Sequence, residues 1–237
     1  MVAQFKIIVQ NLSSQNQDFY VFQQQASFGY SGSPPTILST SLACAQLAPS
    51  SFGAQLDFGF ETQVYAGALN TNASAAMTAF SARISFVTTL AVTSQASAAQ
   101  PIALTPAPPN GTANNCSTLM INPLGLSTPQ NLSSLAPGSF GIQIPTYTPA
   151  LTPDLFCGCA VINQNGIIVL SSFIAPAPNN LLTCAPLPVY YVNRGNHQVG
   201  ETIPYDTSLA AECDFSTGYQ VITVTYNPDG TFTTSGS

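Results

Sequence analysis

Leu56-Asp57-Phe58-Gly59-Phe60-Glu61-Thr62-Gln63-Val64-Tyr65 is the stretch whose reading decides the fold class. Leu56, Phe58, Phe60 and Val64 fall on one parity, and Asp57, Glu61 and Gln63 on the other. A period of two with one apolar side is the signature of a strand that lays one face on a core and wets the other. The same period recurs from Gln4 to Gln10, Asp18 to Gln25, Ile37 to Cys44, Ala82 to Thr93, Ser139 to Ile144, Leu155 to Ile162, Ile167 to Ile174, Val189 to Asn193 and Tyr219 to Tyr226. No convincing helical stripe runs longer than about ten residues. Two turns are written chemically. Asn165-Gly166 predicts a type I′ hairpin with both residues at positive φ, and Asn227-Pro228-Asp229-Gly230 predicts a closing hairpin. Prolines recur along the chain and exclude long helices. The expectation is an all-β protein, an antiparallel β-sandwich or jelly-roll-like fold. It is read as one domain over 1–237, with a Pro/Asn/Ser/Thr-rich loop or insertion at about 106–138.

Charge is the most informative part of the composition. Charged residues make up 5% of the 237, against about 25% in an ordinary globular protein. A chain this long buries roughly 70% of its unfolded surface without metal or disulfide support. Its cations are Lys6, Arg83 and Arg194 and its net charge is −6, so it offers no basic footprint to nucleic acid or to an anionic membrane. No run of about 18 apolar residues predicts a transmembrane helix. Met1 to Val9 lacks the basic and long apolar regions of a secretion signal and is read as the first strand. The extracellular flavour of the composition points to an extracellular or cell-surface location, with a signal either lacking or already removed and the cytoplasm still open.

The search for chemistry returns little. The single histidine, His197, has no Gly-x-Ser-x-Gly elbow in the chain to serve and no acid is read near it. Asp57 and Glu61 would be separated by about 13 Å along a strand, wide for a glycosidase pair. Glu212, Asp214 and Asp206 lack the spacing of a calcium loop. Cys157-Gly158-Cys159 lacks the Cys-x-x-Cys spacing of zinc ribbons and redox dithiols, and its two side chains share one strand face. No catalytic residue, metal ligand or cofactor is assigned, and the protein is not read as an enzyme.

Other residues carry binding or covalent readings. Cys44, Cys116, Cys157, Cys159, Cys184 and Cys213 are an even set that permits three disulfides. Asn11, Asn72, Asn110, Asn115 and Asn131 each open an Asn-x-Ser/Thr glycosylation sequon. Tyr190, Tyr191 and Tyr205 with Asn193 and Asp206 supply the aromatic and polar groups of a carbohydrate contact, although tryptophan, the best stacking platform, is absent. Ala82 to Thr93 is long enough for a membrane-inserting hairpin strand. Edge strands are normally guarded by lysine, and this chain has only Lys6 for that task.

Val9-Gln10-Asn11 leading to Phe19-Tyr20-Val21-Phe22-Gln23, then Gly138-Ser139-Phe140-Gly141-Ile142, Val189-Tyr190-Tyr191-Val192 and Tyr226-Asn227-Pro228-Asp229-Gly230-Thr231-Phe232 form a set. Together they resemble a group of uncharacterised, charge-poor, β-rich hypothetical proteins seen mainly in fungi. That resemblance implies a fold class and a source and carries no activity. The sequence reading is a structural, self-assembling protein of matrix, surface-layer or filament type that associates with its own copies. The alternative is a lectin-like module with polysaccharide as partner.

Overall fold

The computed structural model describes residues 3–30, 35–70, 98–107, 112–151 and 154–237. In chain order the strands are β1 (Gln4–Asn11), β2 (Gln17–Gln23), β3 (Ser27–Gly29), β4 (Leu38–Thr40), β5 (Ala43–Leu47), β6 (Leu56–Glu61), β7 (Tyr65–Asn70), β8 (Ala98–Pro101), β9 (Cys116–Ile121) and β10 (Leu124–Leu126). They continue as β11 (Phe140–Ile144), β12 (Leu155–Ile162), β13 (Ile168–Ile174), β14 (Asn180–Ala185), β15 (Val189–Arg194), β16 (Thr202–Ile203), β17 (Ala211–Asp214), β18 (Val221–Tyr226) and β19 (Phe232–Gly236). The protein is all-β and sandwich-like, as the alternation predicts.

Among the described residues, four sheets make two sandwiches. The first pairs β19-β18-β1-β6 with β17-β15-β2-β5. Between them lie Ile7, Val9, Phe58, Phe60, Ile222 and Val224 from one sheet and Phe19, Val21, Tyr190, Val192 and Cys213 from the other. The second pairs β10-β9-β11-β14-β3 with β16-β4-β13-β12-β7-β8. Its core joins Leu119, Phe140, Ile142 and Leu182 to Ala66, Ala68, Leu155, Cys157 and Ile174. Most pairs are antiparallel, but β1 lies parallel to β18 and β9 parallel to β11. The chain passes back and forth between the sandwiches: β3 and β4 belong to the second, β5 and β6 return to the first, and β15 and β16 again part company.

The β12–β13 hairpin holds the two cores together. On β12, Cys157 and Cys159 face the second core and Val161, on the same parity, faces the first. Its partner cannot do the same by alternation alone. On β13, Val169 faces the first core and Ile174 the second, five positions apart and so of opposite parity. A register shift resolves the conflict: Cys159 pairs with Ser172 and Ala160 with Leu170, leaving Ser171 as a bulge. Ser171 is fully buried and its hydroxyl donates to Cys159 O at 3.4 Å. Gly158 is required by the same feature, since a Cβ there would stand 2.1 Å from Ser172 O and 2.7 Å from Phe173 Cα.

Four readings of the sequence are corrected here. The stretch from Leu56 to Tyr65 is not one strand: β6 ends at Glu61, and Val64 packs against the second core rather than beside Phe58 and Phe60. The segment from Ile37 to Cys44 is likewise split between β4 and β5, which lie in different sheets. Asn165-Gly166 is not a type I′ turn, because only Gly166 has positive φ (+73°). The Asn163 carboxamide shapes that turn instead, its Oδ1 accepting from the N–H of Asn165 and Ile167 while its Nδ2 donates to Leu42 O. The region at 106–138 is more than loop: β9 and β10 lie within it, and Asn115 ties it down through Leu132 and Thr105. The closing hairpin forms as expected, with Asp229 accepting from Thr231 N and Gly230 at φ +88°. The strand read from Ala82 to Thr93 lies outside the described residues.

Deleting Ser171 would leave Val169 and Ile174 four positions apart, on one parity, so that regular pairing serves both cores, whereas inserting one more residue beside Ser171 would force either Val169 or Ile174 out of its core. The deletion is expected to keep a cooperative urea transition and the insertion to abolish it. Ser171→Ala keeps the residue count and loses one hydroxyl bond, and should lower stability by only about 1 kcal/mol.

Candidate functional site

The strands that end the sheets are the natural place to look for a function in a molecule with so few charges. Lys6 does not guard any of them. It sits on β1, flanked by β18 and β6, and pairs with Asp57 at 2.7 Å. Arg194, at the end of β15, donates to Tyr226 Oη at 2.7 Å and stands 5.3 Å from that ring's centroid, stapling the two sheets of the first sandwich. Arg83 lies outside the described residues. Among the described residues, no edge strand carries a lysine or arginine.

The most open edge is β19. Thr233, Thr234, Ser235 and Gly236 are exposed. Val221 and Ser237 exchange both backbone hydrogen bonds, which fixes the phase of the antiparallel ladder: Thr233 and Ser235 bond inward to β18. The N–H and C=O groups of Phe232, Thr234 and Gly236 therefore point away from it, and among the described residues they meet no backbone partner. The ring of Tyr219 covers Gly236 closely enough that a Cβ there would meet it at 2.4 Å.

The residues read as a carbohydrate contact are divided by the strand they share. Tyr190 points into the first core, stacked on Phe60 at 4.9 Å. Tyr191 lies on the opposite face of β15, stacked on Phe22 at 5.3 Å and edge-on to Tyr205 at 6.5 Å. Tyr205 is partly exposed, and Asp206 beside it closes a turn by accepting from Ser208 N. The Asn193 side chain accepts from Arg194 N at 2.8 Å.

His197 does have an acid beside it, contrary to the sequence reading. Glu201, four residues on, accepts from or shares a proton with Nδ1 at 3.1 Å and also accepts from Gln198 N. Burial acts to raise the Glu201 carboxyl, but the His197 ring and the Gln198 N–H hold it below the usual carboxylate range. The ring lies edge-on to Tyr20 at 4.6 Å, and Ser41 donates to His197 O. Cys44 lies against the same loop, its thiol 3.7 Å from Gly195 O and raised by burial. A thiol raised in this way is a poor nucleophile; the group fastens the loop of residues 195–201 to β5. The acids weighed for calcium are engaged locally, Glu212 with Tyr191 Oη and Asp214 with Ser216. Among the described residues no three His, Cys, Asp or Glu side chains converge on a metal position.

The disulfide reading is corrected, and the glycosylation reading is corrected at Asn11 and Asn115. Cys44, Cys116, Cys157, Cys159, Cys184 and Cys213 are all free. Cys213 lies in the first core, Cys157, Cys159 and Cys184 lie together in the second with the Cys159 and Cys184 thiols in hydrogen-bond contact, Cys44 lies under the loop of His197, and Cys116 beside Gly141. Of the sequons, Asn11 and Asn115 are buried at 0% and 1% exposure with their amides bonded to backbone or Thr105, so no glycan fits either in the folded protein. Asn131 is exposed, with its amide on Ala113 O, and Asn72 and Asn110 lie outside the described residues. The sequence carried no sign of the bulge, of the buried amides or of the His197–Glu201 contact beyond its i, i+4 spacing.

No protein-family model, curated protein or solved structure matches the chain. Among the described residues no helix is long and apolar enough to cross a membrane.

The thiols set an alkaline limit. Burial pushes Cys213 up to about 12, and burial followed by the neighbouring Cys159 raises Cys184 well above the ordinary range. The folded state then keeps protons that the unfolded state loses from about pH 8.5, so ν_U falls below ν_N and stability declines with rising pH. The urea midpoint should hold to about pH 8 and fall progressively toward pH 12, less steeply in Cys213→Ala. Native-state alkylation read by mass should label the half-buried Cys44 and Cys116 ahead of the other four.

Proposed function

We propose that this is a structural protein that assembles with copies of itself by adding strands edge to edge, β19 being the primary joint. One observation supports this above all: β19 is an open, uncharged edge, and neither Lys6 nor Arg194 is free to guard it. Strand addition supplies affinity through main-chain hydrogen bonds and needs no charged partner groups. A net charge of −6 over 237 residues offers little repulsion between copies. An assembly of matrix, surface-layer or filament type fits these properties. Six unpaired thiols are the chemistry of a reducing compartment, so an extracellular or cell-surface location keeps only the composition as support.

Thr234 tests the joint cleanly, because its N–H faces outward. Proline there removes an outward donor and leaves the ladder to β18 intact. The wild type is expected to form larger species with rising concentration by light scattering and ordered particles by electron microscopy. Thr234→Pro and Thr234→Lys should remain monomeric, with unfolding midpoints changed by no more than about 0.5 kcal/mol. A wild type that stays monomeric at high concentration near its isoelectric pH would sink the proposal.

A lectin-like role is the second reading, supported by the partly exposed Tyr205 ring next to Asp206. Retention of the monomeric Thr234→Pro protein on polysaccharide, lost on Tyr205→Ala, would favour it over assembly.

A further inference from the structure

The sheet that β19 begins is ended by β6, and that far edge is closed by the β12–β13 turn. Gly59 N–H donates to Gln164 Oε1 at 3.1 Å, and Phe60 forms a β-bridge with Asn163. A continuous head-to-tail sheet, β19 of one copy on β6 of the next, is therefore blocked. Among the described residues the remaining edges offer less than β19 does. β5 equals it in length, but Leu47 O at its end already accepts from Asn11 Nδ2. β8 ends in Pro101, which has no N–H to donate. β17 has four residues, β3 and β10 three each, and β16 two.

The outward groups of β19, by contrast, match themselves. Phe232, Thr234 and Gly236 are evenly placed about Thr234. In an antiparallel pair Thr234 exchanges both main-chain bonds with its counterpart, and Phe232 does the same with the partner's Gly236. Antiparallel order also keeps the Asp229 carboxylates apart, by about 34 Å at about 3.4 Å per residue, several times the screening length of about 8 Å. A parallel, in-register pair would bring them to about 5 Å. The side chains agree with this order. Phe232 and Gly236 share a parity and hence a face, the one on which the Phe232 ring packs against the first core and meets Tyr226 at 5.1 Å. There the Tyr219 ring takes the place of a Gly236 side chain, since a Cβ would meet it at 2.4 Å. Tyr219 is 44% exposed, and the residue across from Gly236 in the antiparallel register is the partner's Phe232.

We propose that β19 pairs with β19 of a second copy in an antiparallel, two-fold joint centred on Thr234, with each Tyr219 ring packed on the partner's Phe232. The joint rests on the assembly reading, and because it consumes β19 in both copies it makes the dimer the unit of any larger array. Cross-linking tests the register. Thr233 falls opposite the partner's Ser235 in a non-hydrogen-bonded pair, with Cα atoms about 4.5 Å apart and within disulfide reach. Thr233 and the partner's Thr233 lie about 8 Å apart, beyond that reach. Thr233→Cys and Ser235→Cys, both at exposed positions, are made in a Cys44→Ala, Cys116→Ala background that removes the two half-buried thiols. Oxidised glutathione is the oxidant: two thiols lose two protons and two electrons as the S–S bond forms, and glutathione disulfide is reduced to two glutathione thiols. Mixing the two variants is expected to give at least 10-fold more cross-linked dimer, read by mass, than either alone. Either variant cross-linking alone as well as the mixture indicates a parallel register, and association without any cross-link indicates another edge. Each of those results overturns the two-fold joint and leaves assembly standing, whereas a chain that stays monomeric overturns both. Tyr219→Ala should weaken dimerisation about 10-fold with the monomer still folded, and Tyr219→Phe should retain it. Unchanged dimerisation of Tyr219→Ala overturns the packing of that ring on the partner's Phe232.

Discussion

One extra residue in one strand governs how the two sandwiches share a wall. Strand parity is strict: a side chain shifted by one position changes face. The β12–β13 hairpin must present apolar groups to the first core at one end and to the second at the other. β12 manages this with a single unbroken parity through Cys157, Cys159 and Val161, but β13 carries its apolar residues on mismatched parities. The bulge at Ser171 absorbs the mismatch. It also sends Leu170 and Phe173 together to the opposite face, where they cluster with Leu69 and Ala160. Without it, one core would lose an anchor, and every crossing of the chain between the sandwiches depends on both cores being present.

A protein with so few ions has to fix its loops by other means, and amides take over that role. Asn11 holds the β1–β2 turn to Leu47, Asn115 ties residues 105 and 132 together, and Asn163 shapes the β12–β13 turn while reaching Leu42. Each of these side chains is buried, at 0%, 1% and 3% exposure, and each satisfies both its donor and its acceptor or its donor twice. Buried neutral amides avoid the desolvation cost that a carboxylate or ammonium would incur in the same place. The two described cations serve as staples in the same way, Lys6 between β1 and β6 and Arg194 between the sheets of the first sandwich.

Much of the secondary structure was legible because period-two alternation is a local property. Leu155 to Ile162 reads as β12 to the residue, and the closing hairpin is written in Asn227-Pro228-Asp229-Gly230. What failed was information stored in tertiary contact. Phe60 and Val64 share a parity but serve different cores, because the chain bends between Glu61 and Tyr65 and changes sandwich. A proline-rich composition hid β9, whose pairing partners β10 and β11 lie on both sides of it. Counting cysteines and sequons gave chemistry without location: an even number of thiols says nothing of their separation, and Asn11 and Asn115 match a surface motif while lying in the interior. A pocket of about 190 Å³ between the two cores was invisible for the same reason, since its walls come from segments as distant as Phe5 and Tyr190.

The placement of polar groups connects stability to association. Where interior positions take neutral amides and thiols, few charged groups remain for the rim, and the sheet edges inherit the shortage. An isolated strand edge carries unsatisfied main-chain groups that water or another strand must pair, and charge is the usual means of ensuring that water wins. On β19 that means is lacking: Thr233, Thr234 and Ser235 bear hydroxyls that tolerate either outcome, and the outward groups of Phe232, Thr234 and Gly236 are spaced as a strand would meet them. The same economy of charge that lets the two cores pack without buried ions among the described residues thus leaves an edge that no charged side chain guards.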